Sequence, residues 1–172
     1  MTSEPRIIAG EGVAAIEFAE HNCFACGSLN RHGLGMTIHI EPGRAWSELT
    51  LEPRFEGWDG VAHGGILATL LDEVMGWTMA AGDDWGLTAR LSVDYRKPVL
   101  VGSDLRTEAW ISRARRRVVE TEGRIVDRAS GVEYATASAT YVTVDEERKR
   151  QLRDRYGIRR GEATDTPELV AR

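Results

Sequence analysis

His63, Gly64 and Gly65 are followed, eight residues after Gly64, by the carboxylate Asp72, with Glu73 beside it. The stretch they occupy, residues 64–82, reads GGILATLLDEVMGWTMAAG, and Asp72 and Glu73 are its only charges. Apolar residues all round predict a helix that is buried all round. A carboxylate there is costly without a partner, so the pair marks an acid kept for chemistry. Glycines at the start of the helix leave its first-turn N–H groups and the positive end of its dipole open to a ligand. Such a site suits an oxyanion forming on a carbonyl carbon. Gly64 is the expected donor, with Gly65 beside it against the substrate. The other reading of the two glycines is a tight loop-to-helix turn. His63 either contacts the ligand or fixes the loop.

Eight residues of helix span about 12 Å along the axis, too far for Asp72 to reach a carbonyl held at its own Gly64. If both act in one site, they belong to different subunits. Two antiparallel copies of the helix about a two-fold axis would bring them together, and symmetric dimers are the commonest oligomers. The small residues Gly65, Ala68, Gly76 and Ala80 share the face of Asp72 and would let a second backbone approach. Asp72 is therefore the expected base or nucleophile. Glu73, with the same spacing from Gly65, is the second choice. Thr88 opens the next segment with a hydroxyl able to position a water. Arg113, Arg115, Arg116 and Arg117 form a basic cluster suited to phosphates of an anionic ligand, or else a solvated turn. Cys23-x-x-Cys26 has half of a zinc spacing, but zinc needs four ligands and there is no second cysteine pair. His21 and His32 would have to converge on it. The reading is packing of the loop, with no metal.

These groups need elements to hold them. Residues 36–40 and 45–51 read as two strands joined by a Pro42-Gly43 turn. After residue 82 the period falls to two. Leu87, Ala89, Leu91, Val93 and Tyr95 alternate with Thr88, Arg90, Ser92, Asp94 and Arg96, which predicts a strand with one face on a core. Three more strands follow, in DLRTEAWISR, RRVVETEGRIVD and VEYATASATYVTV, and the four are expected to form an antiparallel meander covered by the apolar helix. The expected class is α+β, one curved antiparallel sheet wrapped around one long central helix. Residues 1–20 read as a lead with a weakly helical piece. Residues 21–144 read as the domain, its first turn-rich part a packed loop. Residues 145–172 read as a charged, solvent-exposed helix and a disordered tail. The chain of 172 residues is 42% hydrophobic, ample for one core, and its net charge of −5 argues against a general nucleic-acid binder. No signal peptide is evident at the N-terminus, and two mid-span carboxylates argue against a membrane helix. A cytoplasmic protein is the expectation.

The segments GWDGVAHGGILATLLDEVMGW and LTARLSVDYRKPV resemble the hotdog-fold acyl-CoA thioesterases. The nearest type is the phenylacetyl-CoA thioesterase-like branch of the 4-hydroxybenzoyl-CoA thioesterase superfamily. The likeness runs from about Cys23 to Val144 and includes the opening CFACGSLNRHGLGM. It implies a hotdog fold, acyl-CoA as substrate, no cofactor beyond the coenzyme A of that substrate, and a homodimer or dimer of dimers. Residue by residue, it implies Gly64 N–H on the thioester carbonyl, supported by His63. It also implies Asp72 of the partner subunit as base or nucleophile, Thr88 orienting the water, and residues 113–117 near the nucleotide. Many relatives carry Asn or Gln ahead of the HGG, where this chain has Phe55-Glu56-Gly57-Trp58-Asp59. The competing functions are a non-catalytic acyl-CoA-binding hotdog protein and a hotdog hydratase or dehydratase. The latter needs a His and carboxylate spacing that is not found.

Overall fold

The computed structural model describes residues 7–163. Its strands are β1 (Ile7–Ala9), β2 (Ala14–Glu17), β3 (Ile38–Glu41), β4 (Arg44–Thr50), β5 (Glu56–Trp58), β6 (Val61–Ala62), β7 (Gly86–Tyr95), β8 (Asp104–Arg115), β9 (Val118–Asp127), β10 (Glu133–Thr143) and β11 (Arg159–Ala163). Helix α1 (Gly64–Trp77) lies between β6 and β7, and α2 (Glu146–Tyr156) follows β10. Seven strands form one curved sheet in the order β1-β3-β4-β8-β9-β10-β7, antiparallel throughout except for the β1–β3 pair. The concave face is filled by α1.

The expected meander is present only in β8–β9–β10. β7 is not next to β8; the chain crosses from β7 to the middle of the sheet, and β10 then returns to pair with β7 at the edge. β4 takes the other side of β8. Period-two patterning defines which residues share a face but not which strands are neighbours, so this crossover left no mark in the alternation.

The faces follow the pattern closely in β10, where Ala135, Ala137, Ala139, Tyr141 and Thr143 all turn inward. Small residues there let the helix sit close. A Cβ at Gly123 of β9 would meet Met75 Cγ and Glu108 O at 3.1 Å, so glycine is what this approach requires. Leu70, Leu71, Val74 and Met75 are wholly buried beneath the sheet. Each such side chain contributes roughly 1.5–3 kcal/mol by leaving water.

Helix α1 is shorter than its apolar run. Thr78 donates its hydroxyl to Met75 O at 2.7 Å, and its own N–H turns to the same carbonyl. This tightens the chain into a separate 3₁₀ turn at Ala80–Gly82. Nor is α1 covered on every side. Gly65 is exposed, and Ala68, Thr69, Asp72, Glu73 and Gly76 are half-buried.

β7 departs most from its sequence pattern. Arg90 pairs with Thr140, but the next partner of β10, Tyr141, pairs with Thr88. Ala89 is the extra residue of a β-bulge, which reverses the phase of the strand. Leu91 and Val93 still pack on the core, whereas Leu87 is turned outward and is 70% exposed.

The N-terminal lead forms strands, not a helix; β2 pairs with β11. Residues 159–163, which fall across the charged run and the tail of the sequence reading, are thus a strand, and residues 164–172 lie outside the described residues. Helix α2 is capped by Asp145 and by Gly157 in the left-handed conformation. Most of it faces solvent as expected, but Lys149 is buried and bonds Asp84 at 3.0 Å. Arg153 and Arg160 both reach Asp83. Among the described residues no helix is long and apolar enough to cross a membrane.

Candidate functional site

Asp72 is the centre of a hydrogen-bonded group. Thr88 Oγ1 donates to Asp72 Oδ1 at 2.8 Å, and Tyr141 Oη lies 3.1 Å from the same oxygen and 2.9 Å from the Asp72 carbonyl. The β7 bulge sets Thr88 and Tyr141 side by side on the helix face. Burial, then the neighbouring Asp72 charge, pushes the Tyr141 hydroxyl well above the usual phenol range, so it stays a donor. Asp72, Glu73, Gly76, Trp77, Trp85, Gly86, Thr88 and Tyr141 line a recess of about 250 Å³. Phe18, Trp77 and Trp85 stack edge to face behind it.

Gly64 opens α1 at a second recess, lined also by Leu67, Tyr95 and Val99. His63 is the N-cap. Its Nδ1 accepts the Gly65 N–H at 2.9 Å, and its carbonyl accepts from Ile66. In the neutral ring the proton is therefore on Nε2, which leaves that atom as a donor. Gly65 N–H is taken up by the cap, so Gly65 does not offer it to a ligand. Gly64 N–H stands at the first helical position, where the helix supplies no acceptor. Tyr95 Oη donates to Gly64 O at 2.9 Å and ties the first turn to β7. The two recesses are thus separate in one chain, one at each end of the exposed face of α1.

Glu73 faces elsewhere. Trp77 Nε1 donates to its Oε1 at 2.8 Å, and Cys23 Sγ lies 3.8 Å from its Oε2. Cys23, Cys26 and Glu73 offer ligand atoms that all lie within 4.8 Å of one another. The Cys26 thiol, aided by backbone N–H groups and opposed by burial and the Glu73 charge, brings Cys23 down to about 6. The bond to Cys23, then burial, pushes Cys26 far up. His21 Nδ1 accepts the Cys23 N–H at 3.3 Å, and His32 N–H donates to Asn30 Oδ1.

The arginine turn closes β8 onto β9. Arg113 pairs with Glu120 at 3.9 Å, and Arg117 donates twice to Thr143 O, at 3.2 and 3.0 Å. Arg115 and Arg116 are exposed, Arg116 with a φ of 49° at the corner. The register runs from Val118 through Val142 to Leu87, so the turn lies at the Thr88 end of the sheet.

Residues 59–134 match the family model described as Thioesterase superfamily. That stretch of the chain is similar to the thioesterase superfamily. Acyl-coenzyme A thioesterase THEM4 of Xenopus laevis is 28% identical over 117 residues, which cover 68% of this chain and 49% of that protein. The chain spans about half the length of this curated relative. A crystal structure of another thioesterase superfamily protein is 27% identical, with a TM-score of 0.64, over 70% of this chain and 60% of the other. A Streptococcus mutans protein bound to acetyl CoA is 20% identical, with a TM-score of 0.60, over 63% of this chain and 88% of its own. The sheet wrapped on α1 is the hotdog fold these structures share.

The sequence-selected residues fall into three groups, Asp72 with Thr88, Gly64 with His63 and Gly65, and the arginine turn, while Glu73 is turned to Trp77 and Cys23. Tyr141 was not among them. It reads as one more inward residue of a strand, and only the register with Thr88 reveals its hydroxyl at Asp72. Tyr141→Phe keeps the ring and removes a donor to the Asp72 carboxylate and carbonyl. Loss of such a bond to a charged group is expected to lower kcat/KM on an acyl thioester by roughly tenfold. Unchanged kcat/KM with a lowered melting temperature would mean that Tyr141 serves only the Asp72 carbonyl.

Proposed function

We propose that the protein hydrolyses acyl-CoA thioesters at sites shared between two copies of the chain. The thioester carbonyl lies at the N-terminus of α1 and accepts from Gly64 N–H, while His63 Nε2–H offers a second donor. Asp72 of the partner subunit takes a proton from water, and the water oxygen bonds to the carbonyl carbon. The oxyanion is held by the helix N-terminus as the tetrahedral intermediate forms. Its collapse breaks the C–S bond, and coenzyme A leaves as a thiolate that takes up the proton. Thr88 and Tyr141 hold the carboxylate aimed.

One observation carries this reading: the donor and the acid occupy separate recesses at opposite ends of one exposed helix face. β7 adds a reason why a second copy fits there. Among the described residues it is one of the two edge strands, with its outer backbone unpaired, and Leu87 and Tyr95 are 70% and 53% exposed. Such an edge is a template for another strand. It carries Thr88 near one end and Tyr95 at the other, so antiparallel pairing about its middle would set each Gly64 against the opposite Asp72. The acyl group would rest on Trp77 and Trp85. Arg115 and Arg116 would face the phosphates, with Arg113 and Arg117 holding their turn. The reading draws support from the acyl-CoA thioesterase name of the Xenopus laevis relative and from the acetyl CoA bound to the Streptococcus mutans neighbour.

The test is a panel of acyl-CoAs with purified protein and a thiol-trapping dye. Release of CoA thiol from at least one ester is the expected result. Saturable binding of the esters with no turnover would favour a binding module. Water addition to an enoyl-CoA without thiol release would favour a hydratase.

A further inference from the structure

The loop 21–36 has no part in the proposed hydrolysis, yet it is tightly built. Gly27 N–H returns to Cys23 O at 3.0 Å, Leu34 N–H to Phe24 O at 2.8 Å and Met36 N–H to Ala25 O at 2.9 Å. Within it, Cys23-Phe24-Ala25-Cys26-Gly27 forms a closed knuckle. A Cβ at position 27 would collide with the backbone N and O of Cys23, so only glycine lets the chain turn back this sharply. The turn holds Cys23 and Cys26 on the same side of the loop, both facing Glu73.

The knuckle does not face solvent alone. Cys26 is buried, Cys23 is half-buried, and Glu73 reaches them from α1, 47 residues further along the chain than Cys26. The two sulfurs and one carboxylate oxygen lie within 4.8 Å of one another. That clustering gathers two sulfur ligands and one oxygen ligand around a point that a single cation can occupy. Glu73 is also held as metal-binding carboxylates are, with its other oxygen accepting from Trp77 Nε1 at 2.8 Å.

We propose that Cys23 Sγ, Cys26 Sγ and a Glu73 carboxylate oxygen bind one thiophilic divalent cation of the zinc class, with water as the fourth ligand. Two sulfurs and an oxygen with an open place suit tetrahedral zinc. Each thiol gives its proton to solvent on binding. The ion ties the loop 21–36 to α1 at the residue next to Asp72, independently of whether the chain hydrolyses thioesters.

The test uses the full chain, reduced and stripped with a chelator, then titrated with Co²⁺ while thiolate-to-metal charge-transfer absorption is followed. One Co²⁺ per chain with such a band is expected, displaced by Zn²⁺. Cys23→Ser should lose the band. Loss of a group one step removed from a metal costs roughly 10–100-fold in affinity, so Glu73→Gln, losing a direct ligand, should weaken binding by at least about tenfold. No band in the reduced wild-type protein overturns the proposal without any variant. Equal Co²⁺ affinity in wild type and Glu73→Gln overturns the ligand set. A Cys23–Cys26 disulfide formed on exposure to peroxide, with no metal uptake by the reduced form, replaces it with a redox pair.

Discussion

Asp72→Asn is expected to lower kcat/KM for acyl-CoA hydrolysis by about 100- to 10,000-fold, the range for losing a general base. The substitution is nearly isosteric. The asparagine oxygen can still accept from Thr88 Oγ1 and Tyr141 Oη, which lie 2.8 and 3.1 Å from Asp72 Oδ1. Thermal stability and CoA-ester binding should therefore change little, and the loss should fall on kcat. Single-turnover rates with a competent ester, set beside a melting curve, measure both. A variant that keeps more than about a third of wild-type activity would move the base elsewhere. Glu73 is not the natural substitute, because its two oxygens are turned to Trp77 Nε1 and Cys23 Sγ. Thr88→Ala should cost less than Asp72→Asn, since it loosens the carboxylate without removing it.

The apolar run with its two carboxylates was enough to place the central helix, its glycine start and the acid within it. Alternation was enough to find β7 to β10. What escaped depends on pairing. A bulge changes no residue type, so the reversal of phase at Ala89 is invisible in the pattern. That reversal turns Thr88 from the outer, polar series onto the helix face and throws Leu87 outward. The same register brings Tyr141 to Asp72. Glu73 and the Cys23–Cys26 knuckle are likewise far apart in sequence and adjacent only because the loop folds over α1. The strand β11 fell within a run of charges whose role as a partner of β2 has no periodic signature. The helix reading failed at two points: α1 ends at Trp77, short of the apolar run, and the face read as buried is exposed at Gly65 and half-buried at Asp72 and Gly76.

That exposed face leads to the sharpest expectation. Gly64→Pro removes the proposed oxyanion donor while respecting the backbone. Proline is favoured at the first helical position, and His63, with φ −66° and ψ 130°, already has the extended conformation required before it. A Cβ at position 64 meets the Tyr95 ring at 3.4 Å, an acceptable contact. Loss of one such donor costs about 100- to 1,000-fold, so neither this variant nor Asp72→Asn should turn over appreciably alone. Co-expressed in equal amounts, they are expected to recover about a quarter of wild-type activity. Half of randomly assembled symmetric dimers are mixed, and each mixed dimer has one site carrying both substitutions and one carrying neither. A dimer of dimers yields the same fraction, because each site still lies between two chains. If Gly64 and Asp72 served one site within a single chain, every site in the mixture would carry one lesion, and activity would stay at the level of the separate variants. The separation along α1, about 12 Å for eight residues, makes that outcome incompatible with a carbonyl held at Gly64 and attacked by water held at Asp72.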